Sequence, residues 1–385
     1  MPYYRSVGEV PRKRHTVATS DEGRRLEELM GQEGFSEESA LLYHRHSPSA
    51  LTAIEPVDDP RADLALTADQ PLTPRHIRTG DLPPGGDAVL GRQVVLGNPD
   101  VLLCWVAADR DSELYRNAIG DELVYVHDGE VDLQTVFGSL PLGPGDYAVL
   151  PAGTTHRWAL GSERVEALVF EATGHVRFPD RYLSSRGQLK EGAPFSERDL
   201  RGPDEPLLVD GEDVGVLVRN RAGLSRLVHR HHPFDVVGWD GHLWPHALNI
   251  GDFEPIAGAI HQPPPVHQTF AGPGFVVCSF VPRPYDFHPD AVKVPYHHAN
   301  TDSDEVLFYA GGDFMSRQGS GIGVGSISYH PAGFTHGPQP GSWERSVDQD
   351  RTEELAVMLD TFRPLAPSAA AVAASDDGYP GSWSG

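Results

Sequence analysis

Only two cysteines, Cys104 and Cys278, occur in 385 residues. Disulfides therefore do not staple the chain, and a reducing cytoplasm is the expected setting. No apolar run approaches the roughly 18–20 residues a helix needs to cross a bilayer. The opening stretch MPYYRSVGEVPRKRH is basic but has no apolar segment behind it, which argues against a secretory signal. Basic residues are in deficit: 31 Lys and Arg face 55 Asp and Glu, a formal net charge of -24. That balance excludes nucleic acid and anionic membrane as expected partners. Helical patterning is scarce too. The best candidate is SDEGRRLEELMGQEG, with a capping Ser or Asp and Leu26, Leu29 and Met30 at helical spacing.

What is plentiful is Gly (41), Pro (34) and His (19), in a chain of 39% hydrophobic residues and mean hydropathy -0.35. Gly/Pro punctuation between short β-branched runs predicts an all-β fold with few short helices. Expected strands include VLLCWVAA, ELVYVHDGEVDLQTV, DYAVLPA, RVEALVFEA, GFVVCSFV, EVLFYAGG and GSISYHPAG. The small-residue tail PLAPSAAAVAASDDGYPGSWSG is expected to be irregular or loosely docked.

An internal repeat decides the architecture. GDYAVLPAGTTH places Gly145, Pro151, Gly153 and His156 at the spacing of Gly325, Pro331, Gly333 and His336 in GSISYHPAGFTH. Upstream, NAIGDELVYVHDG aligns with NTDSDEVLFYAGG, pairing Asn117 with Asn300 and Glu122 with Glu305. The offset is 183 residues at the glutamates and 180 at the histidines, so the units match with small gaps. This Gly–Pro–Gly–His pattern resembles the second motif of the cupin family, which implies a bicupin of two antiparallel jelly-roll barrels. The expected division is an arm with one short helix over 1–75, a first cupin half over 76–205, a second over 206–363, and a tail over 364–385.

A mononuclear redox metal wants two imidazoles and one carboxylate on one face, with positions left open for substrate and dioxygen. The second repeat offers His298, Glu305 and His336; the first has Glu122 and His156, but Tyr115 stands where His298 should be. The second half is thus expected to be active and the first degenerate. His298 and Glu305 are seven apart and would face opposite ways on one strand, so ANTDSD must bend. His297 and Asp304 are the rival ligands. Iron(II), manganese, zinc and nickel all suit this ligand set.

A narrower resemblance is carried by the WDG, P, NI and DF elements across residues 239–253, by YHHAN followed by Glu305, and by HGP after the third ligand. These resemble homogentisate 1,2-dioxygenase, as does the N-terminal LEELMGQEGFSEESALLYHRHSPSA. The likeness covers most of the chain and is strongest over 230–341. It implies an iron(II) enzyme of tyrosine and phenylalanine catabolism that converts homogentisate, a small aromatic acid, and O2 to maleylacetoacetate. It further implies that His298, Glu305 and His336 hold Fe(2+), and that His261 in GAIHQPPP accepts the substrate proton. Tyr296, Phe314, His330 and His336 would meet the substrate, in a cytoplasmic homo-oligomer, a trimer or hexamer. The chain departs from the family in three ways: it is shorter, its iron His and Glu lie seven rather than six apart, and Phe314 stands where a substrate-contacting tyrosine is expected. Gentisate or another hydroquinone acid is the alternative substrate; a metal-dependent bicupin that consumes no oxygen is the alternative class.

Overall fold

The computed structural model describes residues 3–21 and 23–384. Three large, mostly antiparallel sheets dominate. The first runs, in spatial order, Gly138–Leu142, Val131–Thr135, His156–Leu160, Tyr115–Asn117, Glu212–Asn220, Gly223–His231 and Leu51–Val57. One of its pairings, Tyr115–Asn117 with Glu212–Asn220, is parallel. The second runs His246–Asn249, Asp146–Leu150, Glu122–Asp128, Val165–Ala172, Val101–Ala108, Gln93–Gly97 and Ala366–Pro367. The third runs Gln268–Gly272, Phe275–Phe280, Leu355–Thr361, Asp304–Gly311, Ser326–His330 and Arg75–Arg78.

Alternation along the strands explains how these sheets stack. On Glu122–Asp128, Val124 and Val126 join Trp158, Leu133 and Leu217 in a core between the first two sheets, the interior of the first barrel. The intervening Leu123 and Tyr125 point the other way, into a core shared with Val306, Phe308, Val357 and Leu359 of the third sheet. The two halves therefore stand back to back. Val306 and Phe308 alternate with Glu305, Leu307 and Tyr309, and those last two pack with Cys278, Phe314 and Met358 inside the second barrel.

The sheets cross the expected divisions of the chain. Arg75–Arg78 pairs with Ser326–His330 in the third sheet, Ala366–Pro367 pairs with Gln93–Gly97 in the second, and Glu212–Asn220 extends the first. In the first repeat the hairpin of Val131–Thr135 and Gly138–Leu142 belongs to the first sheet, which gives that barrel a wall facing the second sheet. Its counterpart between Gly311 and Ser326 is loop and one 3-10 turn, Met315–Arg317. The second barrel thus has one regular wall, and the open side leaves room for a cavity.

Two expectations are corrected. Residues 26–31 form a strand, Leu26–Gly31, paired with Ser39–His44 from Leu26 opposite His44 to Gly31 opposite Ser39. No α-helix occurs among the described residues of the arm; a 3-10 turn at Glu33–Phe35 follows the strand. The tail is not loose either. It holds a helix, Ala369–Ala373, capped by the Ser368 side chain, and a 3-10 turn, Tyr379–Ser384, whose Tyr379 is buried.

Candidate metal centre

The two repeats superpose at the level of individual hydrogen bonds. Gly153 N donates to Asn117 O at 2.8 Å, and Gly333 N to Asn300 O at 2.8 Å. Ala152 N donates to Asp121 Oδ1, and Ala332 N to Asp304 Oδ1, each at 2.8 Å. Gly153 and Gly333 adopt φ of 84° and 80°, a left-handed turn that favours glycine. Tyr115 opposes His156 across one strand pair, and His298 bridges His336 in the same way. The aligned positions are structurally equivalent.

In the second repeat the bend predicted for ANTDSD is present: the strand begins at Asp304, and His298 lies apart on its bridge to His336. His336 Nε2 stands 3.0 Å from Glu305 Oε1, and His298 Nε2 stands 3.4 Å from Glu305 Oε2. The three ligand atoms lie within 4.8 Å of one another, the one such group among the described residues. Each imidazole is oriented from behind. Nδ1 of His298 donates to Tyr296 O at 3.1 Å, and Nδ1 of His336 to Phe334 O at 3.0 Å. That fixes both rings with Nε2 turned to the carboxylate. Lone pairs of two neutral imidazoles and a carboxylate then meet at one point, an arrangement that calls for a cation between them. The donor set fits a divalent metal. Burial works to raise the Glu305 carboxyl, but the imidazoles of His298, His330 and His336 clustered on it outweigh that and hold the group well below the usual range.

The rivals are otherwise engaged. Asp304 faces away and accepts from Tyr329 Oη, Ala332 N and Leu365 N. His297 is exposed, with its ring against the backbone of Gly337.

The first repeat shows a different solution for the same carboxylate. Glu122 lies opposite Glu171, as Glu305 lies opposite Asp360. Arg92, fully buried, donates to Glu122 at 2.9 Å and to Glu171 at 2.8 Å, and Arg61 clasps Glu171 as well. A guanidinium thus supplies the positive charge in the first half. His156 keeps its Nδ1 bond to Thr154 O at 3.0 Å, and its buried Nε2 has no partner. In the second half the bulge between Gln268 and Phe270 matches that between Val94 and Leu96, which puts Val266 where Arg92 stands. Asp360 accordingly has no arginine. Burial, with Glu305 adding, pushes it up to about 8, and its Oδ1 is buried without a partner.

Glu305, His298 and Asp360 reach the wall of a cavity of about 360 Å³. His261 and Tyr296 also line it, with ring centroids 5.0 Å apart, and both are partly open to solvent. His336 is buried beside Glu305. His330 is buried behind the carboxylate, stacked on His336 at 4.0 Å, with Nδ1 2.9 Å from Glu305 Oε1. Burial pushes the His330 imidazole down to about 3. Phe314 packs edge-on against Tyr309 at 5.0 Å in the barrel's apolar cluster. Sequence reasoning missed Arg283, Lys293, Arg317 and Asp360 on the cavity wall. Only Asp360 had a legible signal, since LVFEA and VMLDT align across the repeat. His267, left unassigned in function by its sequence, lies in the wall with its ring 4.5 Å from that of Phe280.

Residues 98–250 match the family model "Homogentisate 1,2-dioxygenase N-terminal". A protein of Saccharolobus solfataricus, named provisionally as a dioxygenase, is 37% identical over 100% of this chain and 99% of its own length. The homogentisate 1,2-dioxygenase of Emericella nidulans is 25% identical over 70% of this chain, which spans 63% of that enzyme. The enzyme of that name from Nitrobacter hamburgensis is 27% identical, again with 63% of its length spanned. Among solved structures, protein Ylba from E. coli covers 77% of the chain at 9% identity and a TM-score of 0.38. The chain belongs to the homogentisate 1,2-dioxygenase family of cupin dioxygenases.

Proposed function

We propose that the protein is an iron(II)-dependent ring-cleaving dioxygenase converting homogentisate and O2 to maleylacetoacetate, with both oxygen atoms retained in the product, in tyrosine and phenylalanine catabolism. The observation that carries this reading is the triad of two imidazoles and one carboxylate, turned to one point beside a cavity of about 360 Å³. Iron(II) held there by His298, Glu305 and His336 would supply Lewis acidity toward a phenolate and electrons toward dioxygen.

The chain's own residues supply the rest. His261 stands in the wall as the base for a ring hydroxyl, a task suited to imidazole. Its Nδ1 lies 3.9 Å from Asp286 Oδ2, so the charge gained with the proton has a carboxylate nearby. Arg283, which also meets Glu354 of the same wall at 3.5 Å, and Lys293 bring positive charge there, which supports an anionic substrate entering a chain of net charge -24. Lys293 Nζ is held by the carbonyls of Val347 and Gln349. Phe280, Leu307 and Met358 give the ring an apolar surface and keep water from it.

A second reading, gentisate or another hydroquinone acid, is favoured by Phe314, which offers no hydroxyl and is buried against Tyr309. We extend the proposal to a cytoplasmic homo-oligomer, a trimer or hexamer; the two buried free thiols accord with a reducing compartment. Anaerobic loading with iron(II), then homogentisate and air, tests the chemistry. Oxygen uptake with a new near-ultraviolet enolate absorbance is expected. Uptake with gentisate alone would overturn the substrate, and uptake with neither would overturn the dioxygenase reading, leaving a metal-dependent bicupin that consumes no oxygen.

A further inference from the structure

Behind the metal carboxylate the C-terminal turn closes on the second barrel. Trp383 Nε1 donates to Gly337 O at 2.9 Å, one residue from His336, and Gln339 Nε2 donates to Ser382 Oγ at 2.9 Å. Tyr379 is 1% exposed, and its ring lies 5.1 Å from that of Trp383 and 6.0 Å from that of His330. Its hydroxyl is 2.8 Å from His330 Nε2, while His330 Nδ1 is 2.9 Å from Glu305 Oε1.

The chemistry of these groups orders the chain of bonds. An ionised carboxylate only accepts, so His330 must present its N–H at Nδ1. A neutral imidazole has one N–H, so its Nε2 then bears a lone pair and needs a donor. The Tyr379 hydroxyl is that donor. With the other tautomer a ring lone pair would face Glu305 at 2.9 Å, and the hydrogen bond that orients the carboxylate would be lost. The first barrel has no such device: Leu150 stands opposite Glu122 where His330 stands opposite Glu305. The relay is confined to the half that keeps the full triad.

We propose that Tyr379 is a positioning residue of the metal centre: its hydroxyl holds His330 in the Nδ1–H tautomer that donates to Glu305 and aims the carboxylate at the metal. The C-terminal turn is then part of the site. This rests on the metal reading above, and the experiment separates the two. In the full chain, Tyr379→Phe, His330→Gln and the double variant are compared with the parent for cobalt(II) and iron(II) affinity by chelator competition without oxygen. Ring-nitrogen shifts of labelled histidines report the His330 tautomer in the metal-free protein. Tyr379→Phe is expected to bind metal about 10–100-fold more weakly and to lose the pure Nδ1–H signature. In the His330→Gln background the same substitution should change affinity no further. Parent-like affinity and tautomer in Tyr379→Phe would overturn the relay, as would an equal loss in both backgrounds, which marks a merely structural role. A parent chain that binds neither metal yet keeps the tautomer dependence would instead overturn the metal reading.

Discussion

Glu305 and Glu122 occupy the same place in two copies of one unit, yet they have opposite needs. Glu305 is surrounded by three imidazole nitrogens at 2.9, 3.0 and 3.4 Å, and Glu122 by a guanidinium at 2.9 Å and the amide of Asn117 at 2.9 Å. Replacing Glu305 by Gln keeps the shape but removes the anionic ligand. Metal analysis after dialysis should therefore find binding abolished or severely weakened. Glu122→Gln should leave metal content as in the parent, because its site is already closed by Arg92. Its thermal midpoint should fall instead, since the buried guanidinium keeps only Glu171 as a charged partner. The sequence made both residues visible through the repeat, and Tyr115 in place of His298 told the copies apart. It did not show Arg92, which lies 30 residues upstream of Glu122 and reaches it only because the Gln93–Gly97 and Glu122–Asp128 strands share a sheet.

At the scale of elements, the arginine that closes the first barrel is a packing device built from one side chain and two strands. Arg92→Met would leave Glu122 and Glu171 buried, with Arg61 on Glu171 as the remaining guanidinium and only the neutral Asn117 amide on Glu122. Urea unfolding should show a loss of about 3–5 kcal/mol, the cost of stranding one partner of a buried ion pair. Elements are also where local reading failed. Leu26, Leu29 and Met30 have helical spacing, but the buried strand Ser39–His44 has an open edge there, and pairing with it satisfies six consecutive positions. As a strand, the segment turns Glu28 and Met30 toward the first barrel and leaves Leu29 half exposed. Tertiary pairing outweighed a weak local preference. The tail was misread for a similar reason. Its small residues carry little pattern, whereas Tyr379 and Trp383 are anchored by groups more than 40 residues away.

For the whole molecule, the arm is tied to the barrels by a charged pin. His44 Nδ1 meets Asp235 at 2.6 Å, and its Nε2 meets Glu28 at 3.0 Å. Burial works to lower this imidazole, but the hydrogen bonds to Asp235 and Glu28 outweigh it and raise it from 6.5 to about 9. Because the folded value exceeds the unfolded one, the stabilisation is complete below about pH 6.5 and is lost as pH rises through about 9. Thermal midpoints measured across that window should fall more steeply for the parent than for His44→Gln.

By itself the sequence determined the duplicated all-β unit, the half that keeps three ligands, and the need for a bend between His298 and Glu305. Those features are written in local spacing: turn glycines at positive φ, period-two alternation, and a motif repeated in one chain. Tertiary structure alone decided what surrounds the ligands, namely the arginine in the first barrel, the unpaired Asp360 in the second, and the Tyr379 turn behind His330. The reason is physical. Each depends on groups far apart in the chain meeting inside a barrel, where a buried charge or N–H must find a partner wherever the fold supplies one.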